Sequence, residues 1–493
     1  MSALLRQLHN LSYSRTGLAK SCGFILLMGF ALAGITGTIL AYFHPEPFFE
    51  KDLIRNIEHQ YFAAKNSDLQ TIPGQIQAAT SMETQGQLFF PPTESWLPAL
   101  EQSVIQPRPE PGKRFALGLW MQGEGNVEEA VALFHRENAD YPHPLVRDWE
   151  LRTLIKTGNI PRIHELRQLP GYADQANGLF MMRLGITNGD WSMIIRNFWD
   201  AQYRRLPKDQ LFLALISGAI WTLLILSLFP HFRTVYIPLS LLALTLGWIS
   251  TWPTIWSDIW MNQQFGLKQG NDFLSSLLYF LVSVGLREEV CKLLLFTPFL
   301  FRVIKPGRDL EALLFGALVG LGFAIEENIN YFNSYQGSGV VVIRFVSANL
   351  LHLSLTAVTS LALTRAIRDP GKWIADSVQV LAIAIGLHGF YNTLFTHPVP
   401  GLGDMSYFSG AVLAGCSYLL FREVQTLAPM RGFKISRTAI FCWGFCLLLN
   451  LELLGAVAFL PFTQAVYLTG QAALSVVFTG YVFLHQIQEP LTD

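Results

Sequence analysis

Gly285-Leu286-Arg287-Glu288-Glu289-Val290-Cys291-Lys292 opens the stretch that decides how this chain is read. Gly322-Phe323-Ala324-Ile325-Glu326-Glu327-Asn328 closes it, just short of Tyr331. A short basic turn, Arg302 to Arg308, lies between them. Both charged clusters interrupt runs otherwise apolar enough to cross a bilayer. One charge at the bilayer centre costs roughly 2.5–3.5 kcal/mol on a translocon-type scale. Glu288, Glu289, Glu326, Glu327 and Lys292 together would cost about 12–17 kcal/mol before any pairing. Ionisable groups kept at such a cost mark a functional site by default.

The spacing suggests how the cost is offset. Glu288 and Lys292 are four apart, and Glu289 and Lys292 three apart, so either pair can face across one helical turn. Lys292 can balance one carboxylate and leave the other to exchange protons with water. One run later, Phe323, Glu327 and Tyr331 fall on one stripe. Two further runs carry one histidine each: His352 after Asn349-Leu350-Leu351, and His388 in Gly386-Leu387-His388-Gly389-Phe390-Tyr391-Asn392. His388 and Asn392 share a face. Four neighbouring spans thus place polar groups at comparable depth, which is how a helical bundle builds a site in its core. Each residue also has an ordinary reading. A Glu–Lys pair can be structural or part of an ion path, and a lone buried histidine is more often a hydrogen-bonded core residue. Asn330 and Asn333 read as loop or interface groups, and Cys291 as packing. Glu326 points about 100° away from Glu327 and reads as a partner behind it.

The composition agrees with a membrane protein. Of 493 residues, 51% are hydrophobic and only 14% charged, too apolar for an ordinary soluble domain. A net charge of -1 gives no reason to expect a nucleic-acid partner. The five cysteines (Cys22, Cys291, Cys416, Cys442, Cys446) all lie in or beside apolar runs, so neither a disulfide framework nor a cysteine-based zinc site is expected.

The chain divides into four parts. Residues 1–21 form a tail with Arg6, Arg15 and Lys20, and 22–43 an uncleaved transmembrane anchor. Residues 44–208 are charged and helix-patterned. There Gly125-Asn126, Gly158-Asn159 and Gly189-Asp190 each separate two helical stretches. Gly ends one helix and Asn or Asp caps the next. Phe115–Asn138 looks like a tetratricopeptide-type hairpin, and this part suggests a surface for a protein partner. His164-Glu165 lacks the second histidine of a zincin, since Gln168 stands there, and reads as surface charge. Residues 209–493 form the membrane core, with spans expected near 211–229, 235–252, 272–301, 310–330, 340–363, 376–395, 405–421, 438–460 and 463–485. The expected fold is all-α, a polytopic bundle of about ten spans, with an extracytoplasmic helical domain that is either tetratricopeptide-like or a generic helical one. The turns 302–308, 365–372 and 422–437 are rich in Lys and Arg, whereas 331–339 and 396–404 have none. That asymmetry places the first set, and both termini, in the cytoplasm of an inner membrane, and 44–208 outside. Arg204, Arg205 and Lys208 argue the other way, but long domains translocate largely regardless of charge.

Together, Glu288-Glu289-x-x-Lys292, Gly322-Phe323-Ala324-x-x-Glu327-Asn328-x-x-Tyr331, the span histidine His352 and His388-x-x-x-Asn392 resemble the PrsW family of intramembrane proteases. That family is a branch of the group containing CAAX prenyl proteases and bacteriocin-processing enzymes. The resemblance covers roughly residues 270–400 and carries four motifs in order; Glu326 has no counterpart in it. It implies peptide-bond hydrolysis within the bilayer, on a membrane-anchored protein substrate. The catalytic set it points to is Glu288, Glu289, Lys292, Glu327, His352, His388 and Asn392. Glu289 or Glu288 would activate water, and His388 and Asn392 would hold the oxyanion. If a divalent metal such as Zn2+ takes part, Glu289, Glu327, His352 and His388 are the expected ligands. A metal-free route stays open, because no HExxH occurs. Gly401-Leu402-Gly403-Asp404 spells the GxGD of aspartyl intramembrane proteases, but it falls in a loop with no partner aspartate in the preceding span. The rival from another class is a transporter or proton relay using the buried Glu, Lys and His chain. It predicts internal repeats of spans and broken helices around the site, and no such internal symmetry is evident in the sequence. A non-enzymatic scaffold would leave the buried charges without a purpose.

Overall fold

The computed structural model describes residues 3–43, 97–109, 112–123, 125–157, 159–172, 178–203, 208–228, 236–266, 269–270, 272–334, 339–396, 406–427, 435–458, 462–487, 489 and 491–492. The expected turn glycine Gly158, the segment 44–96 and Gly401–Asp404 lie outside them. The described residues are helical throughout, and the only β-type pairing among them is one bridge between Ser14 and Thr492. The chain forms two compact units, one of 1–45 with 207–493 and one of 46–206.

In the first unit, seven helices among the described residues are long and apolar enough to cross a bilayer. They are Arg15–Ile39, Lys208–Ser227, Asp309–Phe332, Val340–Arg368, Pro370–Thr396, Arg437–Ala456 and Phe462–Ile487. The sequence led to about ten. The other three stretches are helical but fall short of a regular apolar span. Tyr236–Ile249 has 14 residues. The run expected at 272–301 is composite: Phe273–Tyr279, a π-helical Phe280–Leu286, then Arg287–Phe296. Ser406–Leu427 is long, yet it does not reach the apolarity of the seven.

The centre of this unit is the helix Asp309–Ser334, whose apolar window is 94% buried by protein. It packs against Lys208–Ser227, Tyr236–Ile249, Arg287–Phe296 and Ala348–Arg368. Apolar side chains gain little by leaving lipid for protein, so close contact between membrane helices needs small residues. Gly320 meets that need: a Cβ there would lie 2.3 Å from the His352 carbonyl oxygen. The basic turns do share one end of the bundle, since Arg365 bonds both Asp309 (3.0 Å) and Glu423 (3.3 Å), and Arg302 bonds Glu311 at 2.6 Å.

The helix Arg15–Phe43 is peripheral, with only 6% of its apolar window buried. It runs alongside Arg437–Ala456. Reciprocal backbone bonds of 2.7 Å, Arg15 N to Thr492 O and Thr492 N to Tyr13 O, tie the two termini together.

The second unit is a series of helical hairpins. Lys113–Gly123 pairs with Val127–Asp140, and Gly178–Asn188 with Trp191–Tyr203. Pro144–Thr157 is followed by Ile160–Leu166. The turn chemistry expected from the sequence is present. Gly125 and Gly189 have φ of 87° and 68°, in the left-handed region where a side chain is strained. Asn159 accepts from Arg162 N at 3.2 Å and Asp190 from Met193 N at 3.0 Å, which caps the following helices. Asn126 forms no such side-chain cap. Arg162 pairs with Glu165 at 2.9 Å on the surface, so His164-Glu165 is the surface charge it was taken for.

Candidate active site

Four helices of the first unit bring their ionisable residues to one place. Arg287–Phe296 supplies Glu288, Glu289 and Lys292, all buried. Asp309–Ser334 supplies Glu327, Ala348–Arg368 supplies His352, and Pro370–Thr396 supplies His388. The glutamate helix is aimed by what precedes it. Phe280–Leu286 is π-helical, a rare form that is frequent at functional sites. It lies backbone to backbone on the His388 helix. A Cβ on Gly285 would be 2.9 Å from the Ile385 carbonyl oxygen, and one on Gly389 would be 2.8 Å from Leu281 N. Two glycines in contact therefore set how closely Glu288 and Glu289 approach His388.

Lys292 holds the carboxylates together. Its Nζ donates to Glu289 Oε1 at 2.8 Å and to Glu288 Oε2 at 3.3 Å. It also reaches His352 Nδ1 at 2.8 Å and lies 4.1 Å from the centre of the Phe323 ring. An ammonium can only donate, so Nδ1 of His352 is the acceptor and Nε2 carries the proton. That Nε2 donates to Glu327 Oε2 at 3.0 Å. His388 is oriented the other way: its Nδ1 donates to Glu289 Oε1 at 2.8 Å. Its Nε2 then faces Glu288 Oε2 at 3.6 Å. His352 Nδ1 is 4.0 Å from the same oxygen. One ligand atom each from Glu288, His352 and His388 lies within 4.8 Å of the others.

This donor set fits a divalent cation. One carboxylate and two neutral imidazoles suit a metal such as zinc. Each imidazole has its far nitrogen tied to a carboxylate, His388 to Glu289 and His352 to Glu327, the support that metal-binding histidines characteristically have. Charge points the same way. Glu288, Glu289 and Glu327 face two fixed cations, Lys292 and Arg344, so the buried cluster with neutral histidines is short of positive charge. A cation on His352 Nδ1 and the Lys292 ammonium would compete for one lone pair, so each excludes the other there.

Six of the seven residues expected from the sequence meet in this cluster. The seventh, Asn392, is on the His388 helix and half-buried, and its side chain takes part in none of the cluster's hydrogen bonds. Of the four expected ligands, His352 and His388 are in the converging set; Glu288 joins them, while Glu289 and Glu327 sit behind the imidazoles. Glu326 is buried and takes part in none of the cluster's hydrogen bonds. Cys291 is a buried free thiol, in keeping with packing.

Sequence reasoning missed Arg344. Its Nη2 donates to Glu327 Oε2 at 2.7 Å, its Nε to Asn328 Oδ1 at 2.6 Å, and its guanidinium lies over the Tyr331 ring at 3.7 Å. From Asn328 the chain of bonds continues to Asn349 (3.0 Å) and on to Ser217 (2.8 Å). The signal was available: Arg344 is a lone charge inside the apolar run 340–363, and the rule that picked out the glutamates picks it out too. Glu289 Oε2 is buried and has no hydrogen-bond partner, so one lone-pair site at the centre of the cluster stays open.

Comparison with known proteins adds one match. Residues 207–419 match the family described as PrsW family intramembrane metalloprotease. No curated protein and no solved structure matches the chain. The match takes in the four site helices and excludes the second unit and the helices Arg437–Ala456 and Phe462–Ile487.

Proposed function

We propose that residues 207–419, which match the PrsW intramembrane metalloprotease family, form an intramembrane protease domain whose catalytic machinery is Glu288, Glu289, Lys292, Glu327, His352 and His388. The protein cleaves peptide bonds of membrane-anchored proteins at the level of this buried cluster. The observation that carries this reading is the convergence of Glu288, His352 and His388. In this reading those three residues would hold a divalent metal, which would supply Lewis-acid polarisation of the scissile carbonyl.

The chain's own residues do the rest. Glu289 Oε2, the unpartnered oxygen, accepts a proton from water and later returns it to the leaving amine nitrogen. Lys292 holds the other oxygen of that carboxylate, which fixes the direction of Oε2. Glu289 and Glu327 keep the two imidazoles in the tautomers that turn their lone pairs inward. Arg344 offsets the charge on Glu327 and positions it. Asn392 remains a candidate for contact with the peptide, since it lies one turn from His388.

We also read the second unit as an extracytoplasmic, tetratricopeptide-like domain that binds a protein partner or the substrate. Its paired helices support this, and the Lys and Arg in the short turns support a cytoplasmic position for both termini. The ion-relay reading draws on the same buried groups, but the family match favours hydrolysis.

The test is cleavage of single-span substrates by reconstituted protein carrying Glu289→Gln, His388→Ala or Glu327→Gln, each checked for normal folding. Loss of cleavage in all three is expected. Cleavage surviving all three would end the assignment, and ion flux without any cleavage would replace it with the relay.

A further inference from the structure

Three of the chain's five cysteines gather at a second place, away from the site residues. Cys22 is on Arg15–Phe43, while Cys442 and Cys446 are one turn apart on Arg437–Ala456. Cys22 lies on the face of its helix that packs against the Cys442 and Cys446 helix, next to the Ser21–Trp443 bond. All three are free thiols. None lies within the stretch that matches the protease family.

The two helices are held in register on either side of this layer. Trp443 Nε1 donates to Ser21 Oγ at 2.8 Å, and Asn450 Nδ2 donates to the Ile25 carbonyl at 2.7 Å. These pairs rise together along both helices, so the helices run parallel. Gly29 lets them come close: a Cβ there would lie 2.0 Å from the Asn450 side chain. The two hydrogen bonds therefore hold the helices in register beside the thiols. Cys22 and Cys442 are only partly buried, so a small oxidant can reach them.

Packing alone asks for a small apolar group at each position, not for sulfur meeting sulfur across two distant segments. We propose that this layer is an oxidative modification site, in which Cys22 forms a disulfide with Cys442 or Cys446 when exposed to hydrogen peroxide. The Cys22 sulfur attacks the peroxide, the O–O bond breaks, and a sulfenic acid and one water result. The thiol of Cys442 or Cys446 then attacks that sulfur and releases a second water. Two thiols lose two hydrogens and one peroxide is reduced to two waters. The product staples the peripheral first helix to Arg437–Ala456. Disulfides facing a compartment kept reducing are usually transient and redox-sensing, which is the behaviour expected of this one.

The experiment uses the purified full-length protein in lipid nanodiscs. It is treated with hydrogen peroxide, alkylated, digested and mapped by mass spectrometry under non-reducing conditions. Peptides joining Cys22 to Cys442 or to Cys446 are expected, reversed by dithiothreitol. The link should vanish in Cys22→Ser and in the double variant Cys442→Ser/Cys446→Ser. It should persist in either single variant of that pair, and in Cys291→Ser and Cys416→Ser. The proposal is overturned if Cys22 of the wild-type protein remains fully alkylatable after peroxide, or is recovered only as sulfinic acid or joined to a second copy of the chain. The wild-type measurement needs no variant to fold, and it stands whether or not the protease reading does.

Discussion

Glu327 and His352, on neighbouring helices, meet at 3.0 Å through Oε2 and Nε2, and the same Glu327 oxygen receives Arg344 at 2.7 Å. One carboxylate oxygen thus couples an arginine from a short helix to the tautomer of a histidine at the centre of the cluster. Removing Arg344 leaves Glu327 without its main counter-charge. Arg344→Gln should lower metal affinity and cleavage by about 10–100-fold, the usual effect of losing an outer partner. Arg344→Lys should recover part of it, because the charge returns without the fork that reaches both Glu327 and Asn328. Metal titration alongside cleavage rates checks this, and unchanged values in Arg344→Gln would remove Arg344 from the site.

Glu289 is the residue whose free oxygen is available to a water. Glu289→Gln keeps the shape and an acceptor for Lys292 but cannot take a proton. Its kcat should fall about 10²–10⁴-fold with little change in KM. Equal losses in thermal stability and kcat would instead make Glu289 structural.

Gly320 sets the distance between the central helix and the His352 helix. Gly320→Val puts atoms where the His352 carbonyl oxygen stands, since even a Cβ would approach to 2.3 Å. Overpacking of this kind costs about 1–3 kcal/mol. The variant should melt at a lower temperature and lose activity even though it alters no polar group. A variant as stable and as active as wild type would mean that the two helices have room to spare.

In the helical-hairpin unit, Glu137 is fully buried, accepts from Gly112 N at 2.6 Å through one oxygen and leaves the other unpartnered. Burial raises its pKa from the ordinary 4.5 to about 7, against a smaller opposing effect of Gly112 and Arg114. A carboxyl raised in the folded state binds more protons folded than unfolded, so its contribution is fully present below pH 4.5 and fades as pH rises toward 7. Glu137→Gln stays neutral and should flatten that dependence, giving the larger gain in stability above pH 7. Hydrogen exchange of this segment in the full-length protein at pH 5 and pH 8 reads it out. A pH profile unaltered by the substitution would contradict it.

The site was largely legible in the sequence because its residues are charged where the surroundings are not. Glu288, Glu289, Lys292, Glu327, His352 and His388 stood out against apolar runs, and their helical spacing placed them on facing stripes. Periodicity fixes which face a residue occupies, not which partner occupies the adjoining face. For that reason Glu289 and Glu327 looked like ligands, when tertiary contact puts them behind His388 and His352. Asn392 shares a stripe with His388, yet its side chain is absent from the cluster's bonds. Seven of the ten expected spans are regular apolar helices among the described residues, and hydropathy does not register the π-helical turn that divides 272–301, nor how short Tyr236–Ile249 is. In the second unit the turns at Gly125 and Gly189 and the caps at Asn159 and Asp190 were readable because turn chemistry is local.

The most direct test combines metal content with cleavage in Glu288→Gln, His352→Ala and His388→Ala. The wild-type protein should carry about one divalent ion per chain and lose cleavage on chelation, recovering it when the ion is restored. Each variant should lose both the ion and cleavage while keeping its helical content. Full-rate cleavage by chelated, metal-free protein would contradict the assignment of Glu288, His352 and His388 as a metal-holding group, as would stoichiometric metal retained by all three variants.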